Sequence, residues 1–182
     1  MTAVIVIAVV ILAVVVFAAT RPSTYRVERS ATIRAPADRI FPLLDDFHQW
    51  AAWSPWEHLD PAMRRTHSGA ASGVGAVYEW DGNQQAGMGR MEITESAPYS
   101  RITIKLDFLK PFESHNTTTF TLAAEGQATR MNWVMDGPSS FMTKLMGIFV
   151  SMDKMIGKDF EAGLANLKRV VEQPGVTGLG RT

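Results

Sequence analysis

The chain has 182 residues, and its 18 Lys plus Arg are balanced by 18 Asp plus Glu, so it is formally neutral. No basic surplus exists to drive nucleic-acid binding. Cysteine is absent, which excludes disulfides, thiolate metal sites and a cysteine nucleophile, while ten methionines and five tryptophans supply adaptable and bulky apolar volume.

The first element is the run from Ala3 to Ala19, AVIVIAVVILAVVVFAA, which carries no charged and no hydroxyl side chain. As a helix it would span roughly 26 Å, just short of the ~30 Å hydrocarbon core of a bilayer. Its β-branched residues form helices poorly in water. In lipid the backbone has no partner but itself, and helix wins. Three readings compete. A cleaved signal peptide would use Val16-Phe17-Ala18 as its cleavage site but lacks a basic start. A buried core helix would need somewhere to hide every face. A single uncleaved anchor fits best, and Arg21, Arg26, Arg29 and Arg34 on its C-terminal side predict the amino terminus outside and the main domain in the cytoplasm.

The remainder is long enough for one domain with a sizeable core. Tyr25 to Arg34 alternates as a strand. Pro36 suits a helix start and Asp38 its first turn, with Ile40, Phe41, Leu43 and Leu44 apolar; Pro42 is expected to end or kink this short helix. Asp45 or Asp46 would cap a second short helix carrying Phe47 and Trp50. A loop rich in Trp, Pro and His follows, from Ala51 to Pro61. Strands are predicted at Met63 to Ser68, Ala76 to Trp80, Met88 to Ser96, Arg101 to Phe108, Ser114 to Ala123 and about Thr129 to Met135, separated by Gly, Pro and Asp-Gly turns. A long helix closes the domain from about Ser140 to Glu172. Phe141, Leu145, Ile148, Phe149, Met152, Met155, Ile156, Phe160, Leu164, Leu167 and Val171 form its apolar stripe. Residues 3–20 are thus an expected transmembrane anchor, 24–173 one α+β domain, and 174–182 a Gly-rich flexible tail.

This succession resembles the helix-grip fold of START-like proteins, and more narrowly the polyketide cyclase/dehydrase and lipid-transport group of the SRPBCC superfamily. The residues carrying the resemblance are Val27 to Ser30 leading to Ile33-Arg34-Ala35-Pro36, then Ile40-Phe41, Trp50 to Trp56 (WAAWSPW), Gly73-Val74-Gly75 before Tyr78-Glu79-Trp80, and Met152 to Leu167. The resemblance implies a curved antiparallel sheet wrapped around the long C-terminal helix, with an apolar cavity between them. It does not select a function, because such a fold hosts binding proteins, transfer proteins and enzymes.

Trp50, Trp53 and Trp56 recur every third residue. They suit core packing, a cavity rim or the headgroup level of a membrane. Met131, Met135, Met146, Met152 and Met155, with Trp80 and Trp133, should face one interior, either a filled core or a cavity for flexible apolar ligands. His48, His58, His67 and His115 lack zinc spacing. No G-x-S-x-G is present, and Gly73-Val74-Gly75 precedes a strand rather than a helix, so it reads as backbone freedom and not as a dinucleotide loop. Strand parity points Glu79, Glu92 and Asp107 outward. Asp153 and Glu161 fall at the edge of the helix stripe. No carboxylate or histidine pair is placed for acid–base catalysis, and no cofactor is implied.

The expectation is a membrane-anchored protein that binds a hydrophobic small molecule, lipid or isoprenoid-like. Its candidate cavity residues are Trp53, Trp56, Trp80, Phe108, Trp133, Phe149, Met152 and Met155. A polyketide cyclase or dehydratase-like enzyme is the first alternative and would need an inward acid or base. A protein-interaction module is the second and would need an exposed apolar patch.

Overall fold

The computed structural model describes the backbone of residues 2–139, 144–145 and 151–173 and, apart from those of 2–4, 8, 10, 11 and 152, their side chains. The first helix, α1, is Thr2–Thr20. It makes no extensive contact with any other described element, and Ile5, Ile7, Leu12 and Phe17 are exposed along it. Among the described residues no helix is long and apolar enough to cross a membrane.

Seven strands follow: β1 (Thr24–Ile33), β2 (Arg64–Gly69), β3 (Ala76–Asp81), β4 (Met88–Ala97), β5 (Arg101–Lys110), β6 (Ser114–Glu125) and β7 (Ala128–Pro138). They form one antiparallel sheet in the order β1-β7-β6-β5-β4-β3-β2. Only β1 leaves chain order, pairing with β7, Val27 opposite Met135. The register irregularities in the β4–β5 pair, at Met88/Gly89 and Ile93/Glu95, are where bulges add bend to a sheet. Alternation decides which face is inner. Val27 and Ile33, Tyr78 and Trp80, Ile102 and Ile104, Phe120, and Met131 and Trp133 are all buried on one side.

Between β1 and β2 lie α2 (Ala37–Asp45) and two 3₁₀ turns, Phe47–Ala52 and Pro55–His58. Of the two outcomes expected of Pro42, an end or a kink, the first does not occur: α2 runs past it to Asp45. In so short a helix the ring removes a single intrahelical bond, and burial of Ile40, Phe41 and Leu44 on the face toward the sheet outweighs that loss. The side chain of Asp46 caps the first 3₁₀ turn by accepting from the His48 N–H at 2.9 Å.

The last described helix, α3, runs Met152–Glu172. The continuous helix expected from Ser140 is interrupted. Ser151 is extended (φ −73°, ψ 119°), and its hydroxyl accepts the Lys154 N–H, the geometry of a helix start. Phe141, Ile148 and Phe149 of the expected stripe, and Met146 of the methionines expected to face the interior, lie outside the described residues, as does the tail 174–182. From Ile156 on, the stripe lies on the core: Phe160, Leu164, Leu167 and Val171 are buried. A polar clamp fixes its amino-terminal half. Arg29, on the inner face of β1, donates from Nη1 to Asp153 at 2.8 Å and from Nε to Glu161 at 2.7 Å. Gly157 sits between those carboxylates, and a Cβ there would collide with the guanidinium. Asp153 and Glu161, read from sequence as edge residues, are the two ends of this clamp.

Candidate functional site

The concave face of the sheet and α3 do not close on each other completely. They enclose a cavity of about 580 Å³, within the range of small-molecule sites. The strands supply Trp80, Met91, Leu106, Phe108, Trp133 and Met135, the 3₁₀ turns supply Trp50 and Trp56, and α3 supplies Met155, Ile156 and Phe160.

The aromatic end is tightly built. Trp133 stacks on Phe160 with centroids 4.0 Å apart, and Trp56 meets Trp133 edge-on at 5.7 Å. Gly163 lets the indole lie against α3, since a Cβ would come within 2.8 Å of it. Trp133 Nε1 is buried with no hydrogen-bond partner among the described residues. At the other end of the wall, Trp80 lies across Gly89, its partner on β4. A Cβ on Gly89 would collide with the indole and sit 2.6 Å from the Asp107 carbonyl oxygen. The glycine is therefore required by a ring that crosses the backbone.

Not all of the wall is apolar. Glu57, buried in the second 3₁₀ turn, accepts from the Tyr78 hydroxyl at 2.6 Å and from Arg65 Nε at 2.7 Å. Arg65 also donates to the Glu57 carbonyl oxygen at 2.6 Å and to that of Met63 at 2.8 Å. Burial, and then the bond to Glu57, raises the Tyr78 hydroxyl well above the usual phenol range. Asp159 of α3 also lines the cavity, half-buried, and burial pushes its carboxyl up, with the Trp56 indole opposing. Ser54, Thr118, Glu113 and Ser114 add further polar groups to the lining.

Of the residues singled out from sequence, Trp56, Trp80, Phe108, Trp133 and Met155 line this cavity. Trp53 does not. It is buried behind the wall, donating its indole N–H to the Leu43 carbonyl at 2.9 Å and so tying the first 3₁₀ turn to α2. Phe149 and the side chain of Met152 lie outside the described residues. Glu79, Glu92 and Asp107 are not cavity residues: Glu92 accepts from Arg90, and Asp107 is held by Lys105 and His115 on the outer face. Burial alone would raise the Asp107 carboxyl, but the hydrogen bonds to His115 and Lys105 hold it below its usual range. Sequence reasoning missed Glu57, Tyr78 and Asp159. Tyr78 shares its parity with Trp80 and was legible as inward. Asp159, three residues after Ile156 and next to Phe160, stands at the margin of the stripe. Nothing periodic marks Glu57, which is placed by a turn.

A seven-stranded antiparallel sheet gripping a C-terminal helix over an apolar cavity defines a helix-grip domain. The description "polyketide cyclase/dehydrase and lipid transport" matches residues 24–172, and the chain belongs to that family. No individual curated protein matches it significantly. Solved structures share the fold at low identity. CV1439 of Chromobacterium violaceum is 19% identical, the match covering 84% of this chain and 99% of that one with a TM-score of 0.58. The Aha1 dimer of Colwellia psychrerythraea is 13% identical over 81% of this chain and 96% of that one, TM-score 0.58. BexL, a di-domain ARO/CYC protein of the BE-7585A biosynthetic pathway, is 17% identical over 88% of this chain and 54% of that one, TM-score 0.63.

Proposed function

We propose that this chain is a membrane-anchored protein that binds a hydrophobic small molecule, lipid or isoprenoid-like, between its sheet and α3. The observation that carries the reading is the cavity of about 580 Å³ walled by aromatic and methionine side chains. Such walls offer large contact area at little cost in polar desolvation. The flexible thioethers of Met91, Met135 and Met155 can adapt to chains of different shape. The Glu57–Tyr78–Arg65 group and Asp159 add a polar pole for one oxygen-bearing end of a ligand. The family description includes lipid transport. Support for the anchor comes from the uncharged run Ala3–Ala19, the helical conformation of α1, its exposed apolar side chains and its lack of extensive contact with the domain. The arginines that follow favour a cytoplasmic domain.

A second reading has its own observation. Glu57 and Asp159 are carboxylates at the wall of a largely apolar cavity, the placement that acid–base catalysis on an aromatic or polyketide-like substrate requires. BexL, an ARO/CYC protein, shares the fold. One experiment separates the readings. Full-length protein in detergent is loaded with a hydrophobic extract, stripped of excess and incubated, and the bound molecules are released and weighed. A carrier returns the masses it took up. A dehydratase, or a cyclase whose ring closure ends in dehydration, returns a product lacking the elements of water. A cyclase that only closes the ring returns an isomer of unchanged mass and altered chromatographic retention. Either conversion is lost in Glu57→Gln or Asp159→Asn. Failure to retain any hydrophobic molecule would count against both.

A further inference from the structure

The antiparallel register gathers one set of strand ends. Thr24, at the start of β1, faces Pro138 at the end of β7, and Phe108, near the end of β5, faces Ser114 at the start of β6. The chain arrives from α1 at this same end. Arg21 N–H still bonds the Ala18 carbonyl, and by Ser23 the backbone is pinned to the sheet, its carbonyl accepting the Ser139 N–H at 2.7 Å. Two or three residues separate those points, a reach of about 10 Å at most. Three strand spacings, about 14 Å, then separate the entry of β1 from the end of β5.

The last residues of β5 and the β5–β6 connection expose apolar side chains where a hairpin tip is ordinarily polar. Leu109 is 47% exposed and Phe112 is 73% exposed. Phe112 also lines the cavity, as do Glu113, Tyr25 and Pro138 from neighbouring strand ends. Met155, 52% exposed on the first turn of α3, lines it too. This is therefore where the cavity wall meets the outside. Exposed apolar residues at the opposite end, Val74 and Tyr99, lie about a full strand length away, roughly 33 Å for ten-residue β5.

We propose that this end of the sheet is a second membrane contact, in which Leu109 and Phe112 insert into the bilayer interface and the cavity wall between Phe112 and Met155 opens onto lipid. The inference rests on the membrane-anchored reading above: a helix ending within about 10 Å of this edge leaves the domain no other end to present to the bilayer. Lys110 and Glu113 flank the tip with opposite charges, so the contact is expected with zwitterionic lipid and needs no anionic surface.

The chain has no cysteine, so single probes can be placed without background. Val9→Cys in α1, Leu109→Cys, Phe112→Cys and Val74→Cys are each labelled with an environment-sensitive nitrobenzoxadiazole dye in the full-length protein. Each is reconstituted into phosphatidylcholine vesicles with or without spin-labelled lipid. Far-ultraviolet circular dichroism checks that every variant is folded. The expected result is blue-shifted emission, quenched by the spin-labelled lipid, at 9, 109 and 112 but not at 74. Quenching at 9 with emission at 109 and 112 as water-like as at 74 would overturn the inference and leave the anchor standing. No quenching at 9 would overturn both. A blue shift at 112 that spin-labelled lipid does not quench would place the tip against protein, and would also overturn it.

Discussion

Replacing Tyr78 with Phe tests whether the polar pole of the cavity is a closed network. The change removes one oxygen and keeps the ring among Phe47, Trp80 and His67. It leaves Glu57 Oε1 buried without its 2.6 Å donor, while Oε2 keeps Arg65. A buried acceptor deprived of its partner costs about 1–3 kcal/mol, and a half-satisfied carboxylate belongs near the middle of that range, about 2 kcal/mol. For a chain of this size that lowers Tm by about 4–8 °C. The assay is thermal unfolding of full-length protein in detergent, followed in the near-ultraviolet, where the tryptophan cluster reports tertiary packing. The control is a double-mutant cycle with Glu57→Met. Removing the carboxylate removes the orphaned charge, and Arg65 retains its bonds to the Met63 and residue-57 carbonyls. The two changes together should therefore cost less than the sum of each alone, by more than about 0.5 kcal/mol. A Tyr78→Phe variant that melts with the parent, or a strictly additive cycle, would refute the network.

Gly89→Ala drives a methyl into both the Trp80 ring and the Asp107 carbonyl, and backbone cannot yield as a side chain can. It should destabilise by about 2 kcal/mol or more in a urea titration and blunt ligand uptake by displacing Trp80. Arg29→Met should lower Tm at neutral pH. Arg29 holds the Asp153 carboxyl below its usual range, so the lost stability is fully present above the unfolded value of about 3.9 and vanishes as pH falls through the lower folded value. Melting curves of both proteins should therefore converge in acid. Asp159→Asn should act in the opposite sense. Burial raises that carboxyl, so the folded state is penalised as pH rises through the usual carboxylate range, and the variant should melt higher than the parent at pH 7 but not below about pH 3.9.

Strand after strand was legible because alternation has a period that survives any context: Ile102, Ile104 and Leu106 are buried as the pattern requires. The same rule gives the inward set Met131, Trp133 and Met135. At Pro42 local propensity argues for a helix end, and tertiary burial of Ile40, Phe41 and Leu44 carries the helix past it. Trp53 misled for a different reason. Its three-residue spacing with Trp50 and Trp56 says that the rings cluster, but not which one faces the empty side of the cluster. That depends on the 3₁₀ turns, whose path hangs on Asp46 and on indole bonds to the Leu43 and Leu44 carbonyls. Glu57 was invisible for the same cause. A charged residue in an aperiodic loop gives no direction, and only the partnership with Tyr78 and Arg65 carries it inward.

The decisive property of this protein is whether its cavity holds a hydrophobic molecule. Native mass spectrometry of full-length protein, extracted from its own membranes with mild detergent, asks this directly. The prediction is a population heavier than the bare chain by a small-molecule mass. That population should be lost when Met91→Trp and Leu106→Trp, on facing positions of β4 and β5, fill the cavity of a variant that still unfolds cooperatively. A bare-chain mass from gently extracted parent protein, unchanged after incubation with membrane lipid extract, would contradict it.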